Sequence, residues 1–116
     1  GIVEWLPSED LIDAVTAVSG SGPAYVFHLA ECLARAGAEA GLPPDLAARL
    51  ARATVAGAGA LPAASDVPAE TLRRNVTSPG GTTAAALDVL MAEPGLAGLM
   101  REAVAAAKRR AEELSG

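Results

Sequence analysis

The segment spanning residues 78–83, Ser-Pro-Gly-Gly-Thr-Thr, places a proline, two glycines and three hydroxyl groups in six consecutive positions. Proline followed by glycine predicts a type II turn in which Gly80 has a positive φ. A helix is expected to begin at Thr82 or Thr83, and the first N–H groups of a helix have no partner within it. Those N–H groups, with the hydroxyls of Ser78, Thr82 and Thr83, are suited to bind a carboxylate or a phosphate.

The same segment also has an ordinary interpretation as a tight connector between two helices. In that case Thr82 is the N-cap of the second helix and the glycines only form the turn. The segment lacks the lysine of a P-loop, which argues against a nucleoside triphosphate as ligand. From these residues alone, both an anion-binding loop and a plain connector stay open.

A second break in the helical pattern, residues 19–23, has the sequence Ser-Gly-Ser-Gly-Pro. By itself it predicts a corner between two helices, because proline is favoured in the first turn of a helix. Neither this segment nor Gly-Ala-Gly at residues 57–59 extends into a G-x-G-x-x-G motif that follows a strand. The sequence therefore predicts no dinucleotide-binding domain within this chain.

The other chemically versatile side chains fit structural or solvated roles. His28, the only imidazole, shares a narrow polar stripe with Glu31, so a surface histidine is expected. Cys32 lies among apolar neighbours and is expected in the core. Asp13 and Asp66 are expected at helix caps or on the surface. One exposed histidine completes neither a Ser-His-Asp triad nor a metal cluster, so no metal is expected.

The composition excludes several classes of protein. The net charge is −5, and the basic run Lys-Arg-Arg at residues 108–110 is followed closely by two glutamates, so nucleic-acid binding is not expected. No apolar run reaches the ~18 residues of a membrane span, and no signal peptide is recognised. A single cysteine excludes an internal disulfide and fits a reducing compartment, so we expect a cytoplasmic protein.

The turn residues divide the chain into helices, which predicts an all-α bundle of five to six helices. Residues 1–7 are expected to be the end of a strand or a linker that enters a helical domain over residues 8–116. The first helix follows an N-cap at Ser8 and ends at residues 19–20. Further helices are expected over about residues 23–40, 44–61, 67–76, 82–92 and 96–114. Because the sequence starts with Gly rather than Met, we expect a fragment of a longer protein.

Small side chains predict how these helices pack. Half of the residues are hydrophobic, but alanine is the commonest of them and aromatic residues are rare. The second and third helices carry only thin polar stripes, which indicates that they lie in the core or at an interface. A chain of this length is expected to bury about two-thirds of its unfolded surface. Gly57 and Gly59 inside the third helix indicate that another backbone packs close to it, and alanine buries little area, so association with another copy is expected.

Two motifs together resemble one known family. Residues 13–27, DAVTAVSGSGPAYVF, are followed at residues 75–90 by NVTSPGGTTAAALDVL. This pair is similar to the C-terminal half of pyrroline-5-carboxylate reductase. The intervening AGLPPDLAARLARATVAGAGAL and the closing LMREAVAAAKRRAEEL fit the same pattern, so the resemblance covers nearly the whole chain.

The resemblance implies a fold and an activity. Members of this family reduce 1-pyrroline-5-carboxylate to L-proline, the last step of proline biosynthesis, with a hydride from NADPH or NADH. An N-terminal Rossmann domain, which this chain lacks, holds the cofactor. The helical domain, similar to the C-terminal domain of 6-phosphogluconate-dehydrogenase-like enzymes, forms an intertwined homodimer that often assembles into decamers. Partners other than the subunit itself and the small-molecule substrate are not expected.

The resemblance also implies residue roles, in a pocket where two subunits meet. The Ser78 hydroxyl and the N–H groups of Gly81, Thr82 and Thr83 hold the substrate carboxylate. The Thr83 hydroxyl lies near the ring nitrogen, which makes Thr83 the candidate catalytic residue. Residues 19–23 line the site less directly. The implied substrate-binding residues are Val76, Thr77, Ser78, Gly80, Gly81, Thr82 and Thr83.

The implied mechanism needs little from this domain beyond positioning. The imine nitrogen of the pyrroline is basic, so no strong general acid is compulsory and orientation supplies most of the benefit. Without a hydride-donor site, the isolated chain is expected to be inactive. Two alternatives stay open: a helical oligomerisation module without a ligand, and the helical domain of another NAD(P)-dependent dehydrogenase, which the loop makes less favoured.

Overall fold

A computed structural model describes residues 8–115, and these residues form six α-helices and no strand. The predicted all-α class is therefore confirmed for the described part of the chain. The strand or linker predicted for residues 1–7 lies outside the described residues. The helices are α1 (Glu9–Val15), α2 (Gly22–Glu39), α3 (Pro44–Ala64), α4 (Ala69–Asn75), α5 (Thr82–Met91) and α6 (Gly95–Ser115).

The helices are grouped in two compact units. The first, here called the terminal unit, comprises residues 8–23 and 88–115, and the second, the central unit, comprises residues 24–87. The boundaries between the units fall inside α2 and α5. The loop at residues 78–83 belongs to the central unit.

In the terminal unit, α1 is followed without interruption by a π-helical turn over Thr16–Gly20. Ser8 is the N-cap of α1, as predicted, and its Oγ accepts a hydrogen bond from the Leu11 N–H at 3.4 Å. The π-helical turn is closed by the Ser21 N–H, which donates to the Thr16 carbonyl at 2.9 Å. The predicted end of the first helix is thus confirmed, but its last turn is wider than an α-helical one.

The terminal unit is held together by contacts of α6 with α1 and with the π-helical turn. Its buried residues are small: Ala17 is fully buried and Gly98 of α6 is also buried. Asp13 of α1, predicted on the surface or at a cap, is also buried, with only 8% of its surface exposed. This placement corrects the prediction; Asp13 precedes Ala17 by four residues, so the two share one face of the helical segment.

In the central unit, α2 and α3 approach each other through small side chains near the turn that joins them. Ala47 and Ala51 of α3 are buried, and a Cβ placed on Gly37 of α2 would lie 3.4 Å from the Cβ of Ala47. Gly41 ends the α2 segment with a φ of 116°, which an L side chain rarely adopts. No described residue of α2 itself is buried, so of the two predicted positions, core or interface, the core is not found within one protomer and the interface stays a prediction.

The ends of α3 and α4 differ slightly from the prediction. α3 continues to Ala64 and includes Pro62 in its last turn, where a missing N–H disrupts only one intrahelical hydrogen bond. Ser65 does not cap α4; its Oγ accepts from the Val67 N–H at 3.0 Å. Pro68 occupies the N-cap position of α4 and offers no side-chain hydrogen bond.

A single protomer leaves an unusually large surface exposed. The 11.5 kDa chain exposes 8918 Å², whereas a folded monomer of this mass is expected to expose about 5,800 Å². Less than half of the unfolded surface, about 16,700 Å², is therefore buried, and the expected two-thirds is wrong for the isolated chain. Large apolar side chains in both units account for the excess, among them Val18, Phe27, Leu61, Val89, Leu99 and Leu114.

No single described helix is long and apolar enough to cross a membrane. The consecutive helices α5 and α6 pass the test of length and composition only when they are taken together across the break between them.

Candidate functional site

The loop between α4 and α5 is anchored to the C-terminal end of α4. The Thr77 hydroxyl donates to the Arg73 carbonyl at 2.6 Å, and the Thr77 N–H donates to the Arg74 carbonyl at 3.1 Å. The Val76 N–H also reaches the Arg73 carbonyl, at 3.3 Å. Because the last carbonyls of a helix lack intrahelical partners, these three bonds both terminate α4 and fix the start of the loop.

The predicted type II turn over residues 78–81 is confirmed. The Gly81 N–H donates to the Ser78 carbonyl at 3.0 Å, and Gly80 has a φ of 72°. Both features belong to a type II turn with proline at its second position. The Gly81 N–H is consequently engaged in the turn, which corrects the expectation that it is offered to a ligand.

Gly81 is also the residue that caps α5. Its carbonyl accepts the first hydrogen bond of the helix, from the Ala85 N–H at 3.2 Å, and α5 itself begins at Thr82. A serine or threonine at this position would accept a hydrogen bond from a first-turn N–H with its side-chain oxygen, but glycine has no side chain to do so. Within residues 8–115, the N–H groups of Thr82 and Thr83 therefore have no hydrogen-bond acceptor.

This arrangement decides against the connector in which Thr82 is the N-cap. Thr82 is the first helical residue. Gly81, the cap before it, has no side chain that could accept a hydrogen bond from the N–H groups of Thr82 and Thr83. The exposed N-terminus of α5 carries the positive end of the helix dipole, which favours an anion. The loop geometry thus presents two backbone donors in the place that the sequence predicted.

The hydroxyl groups of the loop fall into two sets. Ser78, Thr82 and Thr83 are exposed, and their hydroxyls make no hydrogen bond to any described residue. The hydroxyl of Thr77, in contrast, is half-buried and bonded to α4. Of the seven predicted binding residues, Thr77 therefore has its polar group turned to the helix, and Val76 is 67% exposed beside it.

The end of α4 adds positive charge that sequence reasoning missed. Arg73 and Arg74 occupy its last turn, immediately before the loop. Arg74 pairs with Glu70 at 2.6 Å, whereas Arg73 makes no ion pair within the described residues. The signal in the sequence was the Arg-Arg pair itself, which ends four positions before Ser78; α4 ends at Asn75, so both arginines lie in the last turn before the loop.

The other candidate residues lie outside this loop. His28 is exposed, as predicted; its Nδ1 lies 3.3 Å from Glu31 Oε1 and its Nε2 lies 3.5 Å from Cys32 Sγ. Cys32 is exposed, so its predicted core position is wrong, because nothing within the described chain covers that face of α2. Asp66 is exposed. Among residues 8–115, no three His, Cys, Asp or Glu side chains are arranged to hold a metal ion.

A groove of about 700 Å³ runs between α2 and α3 in the central unit. It is mainly apolar, with charged side chains from Glu31, Arg49 and Arg52 among the residues that line it. Beyond this groove, a Cβ built on Gly57 or Gly59 of α3 would have no described atom within 4 Å. The close backbone neighbour predicted for these glycines is therefore not supplied by residues 8–115. The apolar lining consists of Phe27, Ala30, Ala34, Ala48, Ala51, Val55 and Ala56.

The fold and the loop define a class of protein, an all-α association domain that carries a loop with free N–H and hydroxyl donors. The family model described as pyrroline-5-carboxylate reductase dimerisation matches residues 9–114. The chain therefore belongs to the pyrroline-5-carboxylate reductase dimerisation-domain family.

Known relatives agree with this assignment. The chain is 47% identical over 99% of its length to pyrroline-5-carboxylate reductase from Pseudomonas aeruginosa, and 45% identical over 96% of its length to the enzyme from Pisum sativum. It covers 42% and 40% of these two proteins, so the chain spans less than half of their length.

Solved structures give the same picture. A pyrroline-5-carboxylate reductase from Coxiella burnetii matches 98% of the chain with a TM-score of 0.89 and 43% identity, and the chain covers 42% of that structure. A pyrroline carboxylate reductase from Plasmodium falciparum with NADP bound matches the whole chain with a TM-score of 0.86 and 34% identity, with 44% of that structure covered.

Proposed function

We propose that this chain is the dimerisation and substrate-carboxylate-binding part of an NAD(P)H-dependent pyrroline-5-carboxylate reductase, which reduces 1-pyrroline-5-carboxylate to L-proline in the cytoplasm. Membership of the family supports the reaction. The observation that carries the site is the glycine cap of α5, which leaves the N–H groups of Thr82 and Thr83 available beside three free hydroxyls.

The loop is suited to a carboxylate for geometric reasons. A carboxylate has two oxygens, and each accepts hydrogen bonds readily from backbone N–H groups at a helix N-terminus. Thr82 and Thr83 provide two such N–H groups, and the Ser78 hydroxyl adds a third donor from the other side of the turn. Gly80 and Gly81 keep the space between these donors free of side chains.

In this proposal the remaining role of the loop is to orient the ring. With the carboxylate held by α5, the Thr83 hydroxyl lies within reach of the ring nitrogen and stabilises its protonated form by a hydrogen bond. The carbon of an imine accepts a hydride more readily when the imine nitrogen is protonated than when it is neutral. Since the reaction joins two bound molecules, correct placement supplies much of the rate acceleration.

The described residues do not fit a nicotinamide dinucleotide. A dinucleotide site of the Rossmann kind needs a glycine-rich turn between a strand and a helix, and residues 8–115 contain no strand. NADP is bound in the Plasmodium falciparum structure, more than half of which lies outside the part that this chain covers. We propose that NADPH or NADH binds to a separate domain of the intact enzyme and supplies the hydride there.

The exposed apolar surface supports a homodimer. The excess over the value expected for a monomer of this mass is about 3,100 Å² per protomer, or about 6,200 Å² for a pair, which is as large as the interfaces of permanent dimers. A second copy would cover the α2–α3 groove and the surface of α3 around Gly57 and Gly59, which has no side chain at these two positions. Assembly beyond the dimer, to a decamer, is a further possibility of the family.

The test is steady-state kinetics with the intact enzyme that contains this chain, 1-pyrroline-5-carboxylate and either NADPH or NADH. We expect substrate-dependent oxidation of the cofactor, and none with the 116-residue chain alone. In a parallel titration of the isolated chain with L-proline, we expect NMR shifts at the amides of residues 80–83. A dimer without turnover or proline binding would instead support an oligomerisation module that binds no ligand.

A further inference from the structure

We propose that Thr77 is a positioning residue, whose hydroxyl holds the substrate loop in its binding conformation without touching the substrate. This inference rests on the proposed function of the loop. The resemblance to the family only places Thr77 at the border of the pocket. The direction of its hydroxyl, toward the Arg73 carbonyl, gives it a different role.

Thr77 makes two hydrogen bonds to the end of α4. Its N–H bonds to Arg74 and its hydroxyl bonds to Arg73, at 3.1 and 2.6 Å. Such a double attachment restrains both the backbone and the χ1 angle of Thr77, and thereby the peptide that leads to Ser78. The hydroxyl bond is half-buried, so water competes with it less than at an exposed site.

From Thr77 a short series of backbone hydrogen bonds continues to the donors of α5. The Ser78 carbonyl accepts from the Gly81 N–H at 3.0 Å, and the Gly81 carbonyl accepts from the Ala85 N–H at 3.2 Å. Each bond fixes the group that forms the next one. These bonds shift the loop toward its binding conformation before substrate arrives, and the Thr77 hydroxyl is the only side-chain group of residues 76–83 that contributes a hydrogen bond to this conformation.

Loss of this hydroxyl is expected to reduce the fraction of enzyme whose loop is ordered. The apparent affinity for the substrate falls in proportion to the ordered fraction. At saturating substrate, binding draws the enzyme into the ordered form, so the maximal rate is kept. A net hydrogen bond of ordinary strength corresponds to about a three- to ten-fold change in such an equilibrium. Thr77→Val should therefore raise KM for 1-pyrroline-5-carboxylate by up to about ten-fold and leave kcat and the KM of the cofactor unchanged.

The experiment compares the intact enzyme with its Thr77→Val, Thr77→Ser and Thr71→Val variants. Thr77→Ser keeps the hydroxyl and should retain the wild-type KM. Thr71→Val makes the same change at an exposed position of α4 whose hydroxyl bonds to no described residue, and should leave all constants unchanged. Thr77→Ala is the second variant for the case in which valine disturbs folding, and the same increase in KM is expected.

An unchanged KM in both Thr77→Val and Thr77→Ala would overturn the inference while the proposed function stands. An increase in KM in Thr77→Ser as large as in Thr77→Val would also overturn it, because serine keeps the hydroxyl. A lower kcat with an unchanged KM would overturn it too, because it would show that the hydroxyl acts on the reacting atoms. Absence of turnover in the wild-type enzyme would overturn the proposed function, and this inference with it.

Discussion

Gly80 and Gly81 are neighbours in one turn, but the structure requires glycine at each for a different reason. Gly80 has a φ of 72°, while the space around its missing Cβ is open. Gly81 has no positive φ, but a Cβ there would lie 3.2 Å from the Ser78 carbonyl oxygen, closer than a comfortable contact. Backbone conformation therefore selects Gly80, and the close approach of Ser78 selects Gly81.

The conformational requirement at Gly80 predicts a difference between two substitutions. Asparagine tolerates a positive φ, so Gly80→Asn should keep the turn and a KM within about two-fold of wild type. Valine is branched at Cβ and resists this conformation, so Gly80→Val should cost about 1–2 kcal/mol and raise KM for 1-pyrroline-5-carboxylate. Steady-state kinetics of both variants of the intact enzyme checks this, and an equal KM in the two would show that the turn does not need a positive φ.

At the scale of elements, an ion pair joins the start of α1 to the last part of α6. Lys108 Nζ lies 2.8 Å from Asp10 Oδ1 and 3.6 Å from Glu112 Oε1. The hydrogen bond to Asp10 raises the pKa of Lys108 above its ordinary 10.5; desolvation opposes this, and attraction by both carboxylates adds to it. The protonated amine thus stabilises the contact between α1 and α6.

The direction of this shift predicts how stability depends on pH. Because the pKa of Lys108 is higher in the folded chain than in the unfolded one, the stabilisation is complete below pH 10.5 and is lost as pH rises through the folded pKa. Thermal unfolding from about pH 8 to about pH 12 should show Lys108→Met less stable than wild type, with a difference that shrinks above pH 10.5. Arg109→Met, which removes a cation without an ion pair among the described residues, should show no such convergence. A difference that stays constant across the range would contradict the assignment to Lys108.

At the scale of the whole molecule, the exposed apolar surface fits the proposed association with a second copy, and we propose that this copy comes close at Gly57 and Gly59. In an isolated protomer, Gly57→Ala should stabilise α3 by up to about 1 kcal/mol, because a Cβ meets no described atom within 4 Å. In the proposed dimer, the same Cβ would meet the partner and weaken association. Gly37→Ala, whose Cβ contacts Ala47 and Leu42 within the protomer, should leave association unchanged.

Sedimentation equilibrium over a dilution series measures this effect. We expect Gly57→Ala to raise the dimer dissociation constant while Gly37→Ala and the wild type agree. A Gly57→Ala dimer as tight as wild type would place the interface elsewhere on the surface.

The sequence was informative wherever local chemistry decides the structure. The helical class, the Ser8 cap and the turn at residues 78–81 follow from caps, prolines and glycines, and the structure confirms them. Burial was not predictable in the same way: Cys32 has an apolar environment in the sequence but is exposed, and Asp13 is charged but buried. Burial depends on which surfaces meet, including surfaces of a second copy, and one chain does not specify those.

The hydrogen bonds of the loop were likewise only half predictable. Residue types indicated that Ser78, Thr82 and Thr83 carry donors, but not that the Gly81 N–H closes the turn or that the Thr77 hydroxyl faces Arg73. The difference is one of direction, since a hydroxyl or an N–H can point toward a ligand or toward the chain. Backbone torsions of neighbouring residues set that direction.

The central claim, that residues 78–83 bind the substrate carboxylate, is tested most directly by Gly81→Val in the intact enzyme. The new side chain would press on the Ser78 carbonyl, which closes the turn, and would thereby displace the loop that leads to the Thr82 and Thr83 N–H groups. The measurement is the dependence of initial rate on 1-pyrroline-5-carboxylate, with the dimer mass determined on the same sample. We predict that saturation by substrate is lost while the dimer stays assembled. A KM within about two-fold of wild type would show that the carboxylate binds elsewhere, since the loss of even one of its charge-assisted hydrogen bonds exceeds that change.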